Sequence, residues 1–380
     1  MAQGVLRRRI SRAVTRGMAC LAVCVLMQAC FKEEALKLPF TTYEPAVMAD
    51  GWTVAMPEAA GMDGAALTRV YRDFHERSDL WQVRSLLVFR HGRLVAESYT
   101  KDTADRTRPT AVWSCTKQVM ALLTGMALER GLIADTADTV GRYLPEAVAA
   151  HPDKAAIRIR DLLTMRSGIG FENGGLYGGS NQLLKQMPDN SLDFVLDLPL
   201  RHAPGTAFHY SDGDPQILSA VLQAQTGQSV RDWAREVLFE PLGMHHYDMI
   251  VYRDGLTMGA FGISATPREM ARFGQLVLDG GRWRGNPLVA ADWVATMTSP
   301  KVSAHETAYH GLAFGYYWWV DEARGVVFMH GQGGQYVFVQ PSAGLVVVMT
   351  AEPNTQGTHQ FAVTMALDVL DAVAGSISKP

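Results

Sequence analysis

Strand-type patterning sits at the two ends of the folded part of this chain and helix-type patterning fills the middle. That order restricts the architecture more than any other feature. Residues 83–89 (VRSLLVF) and 94–99 (LVAESY) are apolar runs around Arg90-His91-Gly92-Arg93, the pattern of an antiparallel hairpin. A helical stretch, 65–75, precedes them. From about residue 111 the period changes: Val119, Met120, Leu122, Leu123, Met126 and Ala127 share one helical face, and Gly131 ends the run. Stretches 157–164, 192–198, 216–225 and 229–238 continue a mostly helical middle. At 266–269, Thr266 reads as an N-cap, with Pro267 at the first helical position and Glu269 three residues after the cap. Strand patterns return at 315–320, 325–329, 336–340 and 345–350, and a helix at 360–373 closes the chain. The order predicts an α/β (α+β) fold, with one antiparallel sheet flanked by helices. Residues 51–113 and 266–380 supply the sheet part, and 114–265 form a mostly helical insertion.

The first thirty residues read as an address. Arg7, Arg8, Arg9, Arg12 and Arg16 form a basic stretch without acids, followed by thirteen largely apolar residues, 17–29 (GMACLAVCVLMQA). That run is too short for an ordinary membrane span and has the layout of a secretory signal. It ends at Ala29-Cys30, a small residue before a cysteine, which resembles a bacterial lipoprotein signal with Cys30 as the lipidated residue. Met27 stands where that pattern usually has Leu. The expectation is therefore a signal peptide over 1–29, a polar, proline-punctuated tether over 30–50, a folded domain from 51 to 380, and location on the periplasmic side of a membrane through a lipid on Cys30.

Three of the four cysteines, Cys20, Cys24 and Cys30, fall in this leader, so Cys115 alone belongs to the body and no internal disulfide can form there. With 48% apolar and 19% charged residues, a body of about 340 residues can rest on its core alone. The composition excludes a disulfide mini-scaffold, a collagen-like chain and a multi-span membrane protein. The whole chain carries a net charge of −3, and the leader holds only bases, so the body is more acidic still. It has no general attraction for nucleic acid.

Ser114-Cys115-Thr116-Lys117 has the form S-x-x-K. Positions i and i+3 share a helix face, so the Lys117 amine can reach the Ser114 hydroxyl. A serine hydroxyl is a poor nucleophile until its proton is taken, and a first-turn serine also has the helix dipole to steady an oxyanion. The same spacing occurs at Ser98–Lys101 and Ser376–Lys379, but only the 114–117 copy opens an apolar-periodic helix. His245 and His246 near Asp248 lack a further spaced ligand, and no metal or cofactor motif emerges. The 316–319 aromatics (YYWW) read mostly as core, with one ring available to a pocket wall, and Cys115 as a buried bystander.

The surroundings of Ser114 resemble a family. Trp113–Lys117, Ile157–Gly168 (IRIRDLLTMRSG), Pro204-Gly205 with Phe208–Asp212 (FHYSD), Leu238–Met244 (LFEPLGM), Thr266–Phe273 (TPREMARF) and His330–Val337 (HGQGGQYV) follow one another in a characteristic order. This looks like the serine hydrolases related to class C β-lactamases, penicillin-binding proteins, small-ester esterases and 6-aminohexanoate-dimer hydrolase, over residues 55–372. The resemblance implies a β-lactamase-like fold and an acyl-enzyme on Ser114. It also implies that Tyr210, in the Tyr-x-Asn position, exchanges a proton with the help of Lys117, which holds it partly as phenolate. Asp212 replaces the family's Asn and can pair with Lys117, favouring its ammonium form. The family's Lys-Thr-Gly strand aligns with Gln332-Gly333-Gly334-Gln335, placing Gln332 where a cation is usual; His330 reaches that role only if the register slips. Gly333 and Gly334 then let substrate lie against the strand, and the backbone N–H groups of Ser114 and Gln335 form the oxyanion hole.

Without a cation at 332, recognition of a β-lactam or D-alanyl carboxylate lacks a charge-assisted bond. The reading is an exported serine hydrolase of small esters or simple amides. Activity on β-lactams or peptidoglycan peptides is the alternative within the superfamily, and a catalytically inactive envelope ligand-binding protein is the alternative outside it.

Overall fold

The computed structural model describes residues 37–174, 179–186, 189–354 and 360–378. The leader and Cys30 lie outside the described residues, as do residues 30–36 of the expected tether. Among the described residues no helix is long and apolar enough to cross a membrane.

An eight-stranded sheet forms the centre. Its strands are β1 (Thr53–Val54), β2 (Val83–Arg90), β3 (Arg93–Tyr99), β4 (Ala313–Phe314), β5 (Trp319–Asp321), β6 (Val326–Gly331), β7 (Gln335–Gln340) and β8 (Leu345–Ala351). They lie in the order β1-β3-β2-β8-β7-β6-β5-β4, so the two ends of the chain meet at the β2–β8 pair, where Val88 faces Val347. Every pairing is antiparallel except β1 with β3, which is parallel. His91 and Gly92 join β2 to β3 with φ of 48° and 76°, the two left-handed residues that a tight hairpin turn requires.

The strands are apolar on both faces because both faces are covered. All seven residues of β8 are buried. Helix α1 (Gly64–Glu76), helix α2 (Cys115–Glu129), helix α3 (Ile159–Leu163), helix α4 (Gly213–Thr226), helix α5 (Pro267–Leu278) and helix α6 (Val363–Ala374) are the elements that matter for the site. Helix α5 lies directly on β7 and β8: a Cβ at Gly274 would come 2.6 Å from Val337 and 2.8 Å from Val346. Its start follows the expected cap, with the Thr266 hydroxyl accepting the Glu269 N–H at 3.3 Å. The Glu269 carboxylate turns instead to the N–H groups of His245 and His246, which ties that pair of histidines down by its backbone.

Two expectations differ. The single strand expected over 315–320 is broken into β4 and β5, because Tyr317 has φ 64° and its backbone is held by Leu163 and Gln118 instead of a neighbouring strand. The segment 37–50 is not a free tether. The Leu38 N–H donates to Thr100 O, the Glu97 N–H donates to Tyr43 O, and Arg268 holds both Ala46 O and Asp50 at 2.7 Å. These bonds, to β3 and the residue after it and to Arg268 of α5, give the segment a fixed course over the body.

Candidate active site

Helix α2 begins against the end of β6. A Cβ on Gly331 would stand 2.1 Å from Val112 O, so only glycine lets β6 approach the segment that leads into the helix. Trp113 takes φ 50°, a left-handed conformation costing a non-glycine residue roughly 1–2 kcal/mol. Its indole N–H is fastened to Pro353 O at 2.6 Å. This bend delivers Ser114 to the N-cap position of α2, partly exposed to a cavity of about 640 Å³. Among the described residues no backbone acceptor meets the Ser114 N–H. The Thr116 hydroxyl closes the turn, donating to Trp113 O and accepting from the Ile263 N–H.

Lys117 is fully buried and makes three bonds: 2.8 Å to Ser114 Oγ, 2.6 Å to Asp212 Oδ1 and 2.9 Å to Ala260 O. Burial alone would depress its pKa, but the Asp212 carboxylate and Tyr210 outweigh that and hold it above the ordinary lysine value. The amine is therefore an ammonium with all three protons engaged. Asp212 stands at the N-cap of α4, its own N–H donating to Asn173 Oδ1 at 3.1 Å.

Tyr210 brings its hydroxyl within hydrogen-bonding reach of both Ser114 and Lys117. Its ring lies 5.0 Å from Lys117 Nζ, 6.1 Å from Trp319 in a stacked arrangement, and 6.3 Å from Phe314 edge-on. Burial raises its pKa above the usual phenol value; the ammonium opposes this and the nearby carboxylate adds to it. The partial phenolate expected from Lys117 is not favoured at rest, because burial outweighs the pull of the ammonium and raises the pKa of the tyrosine.

The structure brings together Ser114, Lys117, Tyr210 and Asp212, residues from two stretches of sequence about 95 residues apart. The Gly331–Gln335 turn is placed differently from expectation. Gln335 is fully buried, with its carbonyl toward Cys115 Sγ and its side-chain amide donating to Ala351 O at 2.9 Å. Gln335 is not among the residues that line the cavity. A Cβ at Gly333 would meet Glu352 O at 2.4 Å and one at Gly334 would meet Phe361 at 2.5 Å, and both have positive φ. These glycines make room for the chain behind the strand instead of for substrate. Of the four residues 332–335, only Gln332 lines the cavity. His330 lines it too, stacked on Tyr336 at 4.8 Å, and its pKa is pushed down to about 4 by burial, with His310 and Lys117 adding to the effect. It is neutral at ordinary pH and does not replace the missing cation.

Sequence reasoning missed Ala260, whose contribution is a carbonyl and carries no side-chain signal. It also missed Asn173 and Tyr309, which line the cavity from loops without a motif. Trp319 is the one ring of the 316–319 cluster on the wall.

The sequence model of the Beta-lactamase family matches residues 83–374. The chain belongs to the β-lactamase family. It is a serine hydrolase with the β-lactamase-like fold. Among its relatives, 6-aminohexanoate-dimer hydrolase of Paenarthrobacter ureafaciens is 25% identical over 361 residues, which is 88% of this chain and 87% of that protein. EstCE1, described as a hydrolase with promiscuous acyltransferase activity, superposes with a TM-score of 0.69 at 19% identity, over 82% of this chain and 99% of its own. A class C β-lactamase superposes with a TM-score of 0.63 at 15% identity, over 83% of this chain and 96% of its own.

Proposed function

We propose that this β-lactamase-family hydrolase cleaves ester or simple amide bonds of small substrates through an acyl-enzyme on Ser114. The observation that carries the reading is the 2.8 Å bond between Lys117 Nζ and Ser114 Oγ, beside a cavity large enough for a small molecule. As Ser114 Oγ attacks the carbonyl, Tyr210 takes the serine proton on its oxygen while its own proton passes to the leaving group. A neutral phenol suffices for this exchange, and no phenolate need accumulate. Lys117 stays an ammonium and stabilises negative charge developing on the serine and tyrosine oxygens. Water then attacks the acyl-enzyme by the reverse route. The Ser114 N–H, without a backbone acceptor, holds the oxyanion, and Gln332 is the residue of the 332–335 turn that can offer a second donor. Each such donor is worth roughly 3–4 kcal/mol in the transition state.

The cavity wall supports esters and amides over carboxylate-bearing β-lactams. Phe208, Tyr210, Tyr309 and Trp319 make it aromatic, Gln332 and His330 are neutral, Glu172 and Glu306 add carboxylates, and among the described residues no lysine or arginine lines it. A fluorophosphonate probe should add once to the wild-type protein and not to Ser114→Ala, as read by intact mass, and p-nitrophenyl esters should be turned over faster than nitrocefin. No adduct on folded protein would instead favour a ligand-binding role, and preferred turnover of nitrocefin would return the reading to β-lactams. The basic and apolar leader ending at Cys30 supports export and lipid attachment, which metabolic labelling with palmitate and a Cys30→Ser comparison test directly.

A further inference from the structure

Away from the catalytic cavity a second pocket, of about 310 Å³, opens beside α3. Four cationic residues line it, Arg158, Arg160, Arg166 and Lys301, in a chain whose acids outnumber its bases. The single carboxylate on its wall, Asp161, is buried and already accepts the Arg158 backbone N–H at 2.9 Å. Among the described residues, Arg158, Arg160 and Lys301 make no ion pair with a carboxylate, and Lys301 instead lies 5.5 Å over the Tyr316 ring. Arg166 is paired with Glu306 through one end of its guanidinium, but its Nε is buried without a hydrogen-bond partner. An unsatisfied buried donor among unpaired cations is a site short of an acceptor.

We propose that this pocket binds an oxyanion, with a phosphate group as the simplest occupant. A tetrahedral dianion matches the fork geometry of several guanidinium groups and neutralises the local excess of positive charge. The hydroxyls of Thr164 and Thr206 are already bonded to the backbone carbonyls of Arg160 and Ala203, so recognition rests on the cations. The two cavities share one segment, with Pro204, Gly205 and Thr206 on this pocket and Phe208, His209 and Tyr210 on the catalytic one. They also share one ion pair, because Arg166 lines this pocket and its partner Glu306 lines the other.

The test uses the full-length protein at pH 7.5. Inorganic phosphate at about ten times its dissociation constant should raise the melting temperature by about 2 °C over sodium chloride of equal ionic strength. The double variant R158Q/R160Q changes only exposed side chains, so it should melt normally in chloride yet lose the phosphate increment. Lys301→Gln should lose part of it independently. Sedimentation with phosphatidylcholine vesicles containing phosphatidylglycerol separates the sources. Co-sedimentation that disappears in R158Q/R160Q, without any response to inorganic phosphate, assigns the pocket to lipid headgroups. An increment kept in full by the double variant, or neither response in the wild-type protein, overturns the proposal.

Discussion

Lys117 Nζ stands 2.6 Å from the Asp212 carboxylate and 2.8 Å from the Ser114 hydroxyl, so the lysine that touches the nucleophile is held in its charged form by the acid behind it. Removing that acid leaves a fully buried ammonium facing only neutral oxygens. In Asp212→Asn the lysine pKa should fall, because burial then acts without an opposing charge. If catalysis needs the ammonium, activity at acidic pH should survive while the basic limb of the kcat profile moves to lower pH. A pH–rate profile on a p-nitrophenyl ester reads this directly. A basic limb left in place would mean that the charge on Lys117 is not what Asp212 provides.

Tyr210→Phe keeps the ring between Trp319 and Phe314 and removes only the hydroxyl that faces Ser114 and Lys117. The expected result is a kcat lower by about 10²–10⁴-fold with KM little changed, the range of a lost general acid–base. Steady-state ester hydrolysis checks it, and near wild-type turnover would assign the proton transfer to Lys117 alone.

Much of this cluster was legible in the sequence because side-chain identity and helical spacing encode it. Ser114 and Lys117 must meet if the helix starts there, and an acid at 212 must be paired if it is buried. The fold was legible for a similar reason, since strands buried on both faces read as apolar runs from either end of the chain. What remained hidden depends on backbone course. Ala260 contributes a carbonyl, which any residue possesses. The tight turn at Gly331–Gln335 decides which residue opens on the cavity, and a motif alignment that treats 332–335 as strand does not show that two glycines of positive φ turn the chain there. Tyr317 breaks an apolar run that by composition could be one strand.

Gly331→Ala tests the contact that sets the nucleophile beside the sheet. The added methyl would stand 2.1 Å from Val112 O, a backbone atom one residue before the strained Trp113. Either β6 or the 112–114 segment must move. Overpacking of this kind costs about 1–3 kcal/mol. Because the displaced segment carries Ser114, ester kcat should fall further than the loss of folded protein accounts for. Denaturant unfolding measured alongside kinetics separates the two effects.

Asp214 gives the clearest pH signature in stability. It is fully buried two residues after Asp212, accepts the Ser167 hydroxyl at 2.6 Å, and burial pushes its pKa up to about 7 even though bonds from Ser167 and Ser211 pull the other way. An unfolded aspartate titrates near 3.9, so the folded state prefers the protonated acid. Its contribution to stability is complete below the unfolded pKa and is lost as pH rises through about 7. The gap of about three units corresponds to about 4 kcal/mol between the ends of that window. Asp214→Asn keeps the size and the hydrogen-bonding groups but does not ionise. The melting temperature of the wild type, relative to this variant, should therefore decline between pH 4 and 7 and level off above, and parallel curves across that window would show that Asp214 is ionised in the folded protein throughout.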